Sequence, residues 1–110
     1  MAGVIALRRG EMNGAREAFN AAIATADLLL SRNDRNAPAL DSRALALCGL
    51  ALCDGNPAHL TAAGTAYRAA RSICRDAGIV ARSLRLFDEL AKTDGTGMLG
   101  KVRTLVEGTA

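Results

Sequence analysis

Apolar residues recur at intervals of three and four along most of the chain, and short runs rich in Gly, Asn, Asp and Pro interrupt them. Gly10, the 33–38 stretch, Asp54-Gly-Asn-Pro57, Gly78 and Asp94-Gly-Thr-Gly97 are the interruptions. Six helical segments are therefore predicted, over about 2–9, 12–32, 39–53, 57–76, 79–92 and 98–107. In the second segment Met12, Ala15, Phe19, Ala22, Ile23, Ala26, Leu29 and Leu30 share a stripe, with Glu17, Asn20, Asp27 and Ser31 opposite. The fourth repeats the arrangement with Leu60, Ala63, Tyr67, Ala70, Ile73 and Cys74. Asn56 before Pro57 is a helix start: Asn caps an orphan amide, and Pro in the first turn forfeits no needed bond.

Half of the 110 residues are hydrophobic, but only 3% are aromatic. Ala and Leu must then do most of the packing, which suits closely approaching helices. No short alternating run of β-branched and aromatic residues suggests a strand. The fold class is all-α, and the length suits one core in a single domain spanning 1–110. The net charge of +3 is mild, its Arg residues are interspersed with Asp and Glu, and there are few stacking rings, so nucleic acid is disfavoured as a partner. No apolar run approaches the roughly 20 residues of a membrane span, and the apolar start lacks a signal-peptide pattern. Three cysteines without paired spacing fit buried thiols in a reducing compartment, so a cytoplasmic location is expected.

Residues 1–32 and 39–76 look like one helical hairpin written twice. Ala15, Phe19 and Ala22 on the second helix correspond in spacing to Ala63, Tyr67 and Ala70 on the fourth, and Gly3 and Gly49 lie upstream on the first and third. Small residues let a neighbouring helix come close, and the aromatic ring between them fills the space. In these positions the chain resembles the tetratricopeptide repeat, whose pattern sets Gly on one helix and Ala-x3-aromatic on the next. The usual Trp is missing, Ala6 and Leu52 stand at the Tyr position, and Phe19 and Tyr67 are 48 residues apart instead of about 34. The resemblance covers about residues 1–77. It implies a short right-handed α-solenoid of five to six helices, with 79–107 as a third pair or as capping helices. Gly3 should lie mid-helix, so the chain is expected to begin inside a helix. Either the first helix is shortened or the sequence is a piece of a longer protein, the second being favoured, and an exposed first-helix face would promote self-association.

No constellation for catalysis stands out. His59, the only histidine, has no nucleophile or orienting partner nominated by the sequence. Cys48, Cys53, Cys74 and His59 lack the paired spacing of a structural zinc site. Gly95-Thr-Gly97 has neither the following Lys-Ser/Thr nor the preceding strand of a phosphate loop, and residues 33–41 lack the alternating acids of a calcium loop. No cofactor is expected and the chain is not read as an enzyme. Arg68, Arg71, Arg75, Arg82 and Arg85 make a basic stretch that could dock acidic peptide, phosphate or RNA; a solvated face neutralised by Asp76, Asp88 and Glu89 is favoured.

The function expected is a non-catalytic scaffold binding a peptide or another protein. In tetratricopeptide-like proteins the first helix of each pair lines the concave face. The resemblance places Val4, Leu7, Arg8, Arg43, Ala46, Leu50, Cys53 and Asp54 there, with ordinary hairpin packing an open alternative for Ala46 and Cys53. The alternative function is a C-terminal regulatory or oligomerisation segment of a larger bacterial signalling ATPase or transcription regulator, suggested by the high Ala, Arg and Gly content.

Overall fold

A computed structural model describes residues 2–95 and 97–108, with the side chains of Ala2, Val4 and Arg8 outside the description. Among the described residues all regular structure is helical: α1 (Ala2–Arg8), α2 (Met12–Arg32), α3 (Ala37–Asp54), α4 (Pro57–Ile73), α5 (Ala77–Ala91) and α6 (Arg103–Glu107). Where the boundaries differ from the periodicity, the caps explain why. α3 begins two residues early because Asn36 Oδ1 accepts the Ala39 N–H and Pro38 is tolerated in the first turn. α5 likewise begins at Ala77, since Asp76 Oδ1 accepts from the amides of both Gly78 and Ile79. α4 stops at Ile73, where Cys74 turns to an extended conformation.

Two turns depend on glycine. At the end of α1, Gly10 takes φ +75°, its N–H donates to Leu7 O and the Glu11 N–H reaches Ala6 O, the two bonds of a Schellman ending. Gly55 takes φ +69° after α3 and donates to Ala51 O. These left-handed positions turn the chain within two or three residues, so consecutive helices run back beside each other.

Every residue from Ala44 to Ala51 is buried, which makes α3 the central helix. Its run Ala-Leu-Ala-Leu-Cys-Gly-Leu-Ala has no polar face, and a helix hydrophobic all round has to be surrounded. α2 and α4 flank it along their lengths, α1 packs on α2 and touches α3, and α5 lies against α3. α6 fits against α4 and α5.

The seams are cut from small residues. Phe19 on α2 is fully buried, and its ring lies over both Gly3 of α1 and Gly49 of α3. A methyl group added at Gly3 would come within 2.6 Å of that ring, and one at Gly49 closer still. Ala15, Ala63 and Ala70 are also buried, and Ala22 is half-buried. A further notch, Gly64, receives Leu105 from α6.

The last predicted segment is only partly helical. Asp94 Oδ1 and Oδ2 accept the amides of Gly97 and Leu99, each at 3.0 Å, and hold the approach to α6 as a turn. Leu99, Val102 and Val106 are nevertheless buried, and Arg103 Nε donates to Asp88 Oδ1 of α5 at 3.1 Å.

Gly49→Ala tests the seam. The substitution gains about 1 kcal/mol in helix propensity. Overpacking a ring held on both sides costs about 3 kcal/mol, so a net loss of about 2 kcal/mol is expected in urea unfolding. Shrinking the ring in Gly49→Ala/Phe19→Leu should recover part of the loss that the two single substitutions would sum to, measured as a double-mutant cycle.

Candidate functional site

The residues expected on a concave face are dispersed. Ala46 and Leu50 are in the core, because α3 is enclosed by its neighbours and presents no open groove there. Leu7 and Cys53 are half-buried against the same core. Arg43 points to α2, where its Nε donates to Asp27 Oδ1 at 2.8 Å. Asp54 is exposed at the end of α3; it accepts the Asn56 N–H, which holds its carboxyl below the ordinary range, and also pairs with His59 Nε2 at 3.0 Å. Val4 and Arg8 have side chains outside the described residues.

The basic stretch also divides. Arg68, Arg75, Arg82 and Arg85 are exposed, but Arg71 is only 2% exposed. Spacing explains the exception: Arg71 follows Tyr67 by four residues and so continues the buried stripe of α4. Its Nη2 donates to Asp41 Oδ2 on α3, and its aliphatic stem lies beneath Gly108 after α6, where an added methyl would be 3.3 Å from Cγ. Asp41 Oδ1 and Arg71 Nε and Nη1 are buried without hydrogen-bond partners. Burial pushes the Asp41 carboxyl above its ordinary value, and the Arg71 charge and a Ser83 hydrogen bond pull it back only part of the way. Asp41 sits one turn before buried Leu45, as Arg71 sits one turn after Tyr67; that pairing of charges on two apolar stripes was the available signal.

Two concavities lie on either side of the start of α3 and share Pro38 and Ser42 as walls. One, of about 250 Å³, is enclosed by α3, α4 and α5, with Asp41, Leu45, Tyr67, Arg82 and Leu86 among its lining. The other, of about 430 Å³, is a shallower groove between α2 and α3, floored by Ala21, Ala22, Ala26 and Ala39 and edged by Leu29. Leu28 and Leu29 are 55% and 41% exposed beside it.

The thiols are separate from these features. Cys48 is fully buried, and burial raises its pKa to about 12; burial also raises that of Cys53. Among the described residues no three His, Cys, Asp or Glu side chains gather as a metal-binding group, and no helix is long and apolar enough to cross a membrane. No protein-family profile, curated protein or solved structure matches the chain.

The buried pair yields a signed prediction. The folded chain holds the Asp41 proton to higher pH than the unfolded chain does, so this group favours folding most at low pH and loses that contribution as pH rises through its folded value. Arg71→Met removes the charge that pulls this value down and should extend the window upward. The variant is expected to lose about 3–5 kcal/mol at neutral pH, and less at about pH 4, where the orphaned carboxyl carries its proton. Asp41→Leu/Arg71→Met should recover most of the loss, as urea unfolding across this pH range would show.

Proposed function

We propose that the chain is a non-catalytic protein-interaction module, built as a short tetratricopeptide-like stack of helical hairpins, and that a partner protein covers the outer edge of α2. The nesting of Phe19 between Gly3 and Gly49 supports the stacked-hairpin reading, since it joins the first pair of helices to the next through the residues that carry the resemblance.

One observation carries the interaction: the exposed Leu28 and Leu29 lie together beside the Ala-floored groove of about 430 Å³. Ala21, Thr25, Leu28 and Leu29 follow one another at helical spacing, so the apolar surface is a stripe and not scattered single residues. A floor of methyl groups with a raised leucine edge accepts an apolar segment of another chain. Close backbone approach then gives contact area at small entropic cost, because Ala has no rotamers to immobilise. The groove residues contribute no titratable side chain, so the recognition would be apolar and weakly salt-dependent.

Leu29→Arg puts a charge on this edge without removing a buried contact, so its folding stability should stay within about 0.5 kcal/mol of the parent. Affinity capture from the source cells, run with the parent and with Leu29→Arg, should recover a protein only with the parent. Sedimentation of the isolated chain identifies a second copy as the partner if the parent dimerises and the variant does not. Equal recovery with both proteins, together with monomeric behaviour in both, would remove this edge as the interaction surface.

A further inference from the structure

We propose that the cavity enclosed by α3, α4 and α5 binds a small monocarboxylate with an aliphatic or aromatic body. The site lies across Pro38 and Ser42 from the α2 groove, and it does not depend on the protein-interaction reading.

Tyr67 of α4 and Phe87 of α5 meet edge to face at 6.2 Å between centroids, and Tyr67 also lines the cavity beside this contact. At about 250 Å³ it lies just under the roughly 300–1,000 Å³ of ordinary ligand pockets. That volume suits a single ring or a short branched chain with one polar head. Leu45 and Tyr67 supply apolar walls, while Ile79 and Leu86, both partly exposed, form an apolar rim on α5.

Charge selects the head group. Two charged residues line the cavity, Asp41 and Arg82. The Asp41 carboxylate is already engaged by Arg71, and its remaining oxygen is buried away from solvent, so it offers a cationic ligand nothing to bind. Arg82 is exposed and has no ion-pair or hydrogen-bond partner among the described residues. Its planar guanidinium is the uncompensated charge of the lining, and it matches a carboxylate with two parallel hydrogen bonds. Ser42 lies on the facing wall and adds a hydroxyl donor. An acid entering body first would cover the apolar rim and leave its carboxylate at Arg82.

The test is an amide-detected NMR titration of the full chain with phenylacetate and with hexanoate, each compared with its uncharged amide, and with phenethylamine as the cationic probe. Both acids are expected to give saturable shifts at Ser42, Leu45, Ser83 and Leu86, with dissociation constants on the order of 1 mM for ligands of this size. The amides and the amine should bind at least about tenfold more weakly, and Arg82→Gln should weaken acid binding by about the same factor. Arg85→Gln, on the same helix but outside the lining, should leave it unchanged. The proposal is overturned by non-saturating shifts with both acids, by equal binding of amides or amine, or by undiminished binding to a folded Arg82→Gln protein. None of these outcomes bears on capture through Leu29.

Discussion

A helix without a polar face has to be enclosed, and the rest of the molecule is arranged to meet that need of α3. Residues 44–51 are buried on every side, so α2 and α4 must lie along it and the remaining helices must close the gaps. Close enclosure requires somewhere for side chains to go. Phe19 takes the space left by two absent side chains, at Gly3 and Gly49, and thereby joins three helices through one ring. Dispersion contacts of this kind are individually small, but a ring packed against two helices loses many at once when displaced.

The two concavities follow from where this enclosure changes character. Around Gly3 and Gly49 the ring of Phe19 fills the seam of α1, α2 and α3, whereas towards the start of α3 the seam with α2 is lined by Ala and opens into the shallow groove. At α5 the contact is made by the rings of Tyr67 and Phe87, and Tyr67 also lines the cavity beside it. On the opposite side of α3, α2 has spent its large side chains on both faces: Phe19 and Ile23 pack inward, whereas Leu28 and Leu29, nearer its C-terminal end, face outward. The outward leucines are the surplus of a helix whose inner seam is satisfied by alanines.

Periodicity and breakers made most of the helices legible, because Gly10, Gly55 and Asn56-Pro57 act locally and their effect does not depend on the partner helix. That Gly3 and Gly49 mark close helix crossings was legible for a similar reason, but the repeat pairs Gly49 with Tyr67, and the structure fills both notches with Phe19. The place of α3 was harder to read. Ala46 and Leu50 fit a concave face by analogy, whereas the uninterrupted apolar run from Ala44 to Ala51 argued for the centre, and burial on all sides decided between them. Arg71 was counted with its exposed neighbours because charge suggests surface; its register on the Tyr67 stripe was the stronger signal. The end of the chain misled through Asp94, whose two carboxylate oxygens stabilise a turn that competes with helix up to Val102.

The link between Asp41 and Arg71 has a consequence for uniqueness. A seam of alanines and leucines is nearly self-similar along its axis, and sliding one helix past another by a single turn, about 5.4 Å, replaces each apolar contact by one much like it. A charged pair offers no such substitute, because a shift of that size would strand both charges in an apolar medium. The ion pair therefore acts as an alignment mark between α3 and α4, and the stem of Arg71 beneath Gly108 carries the same mark to the chain following α6.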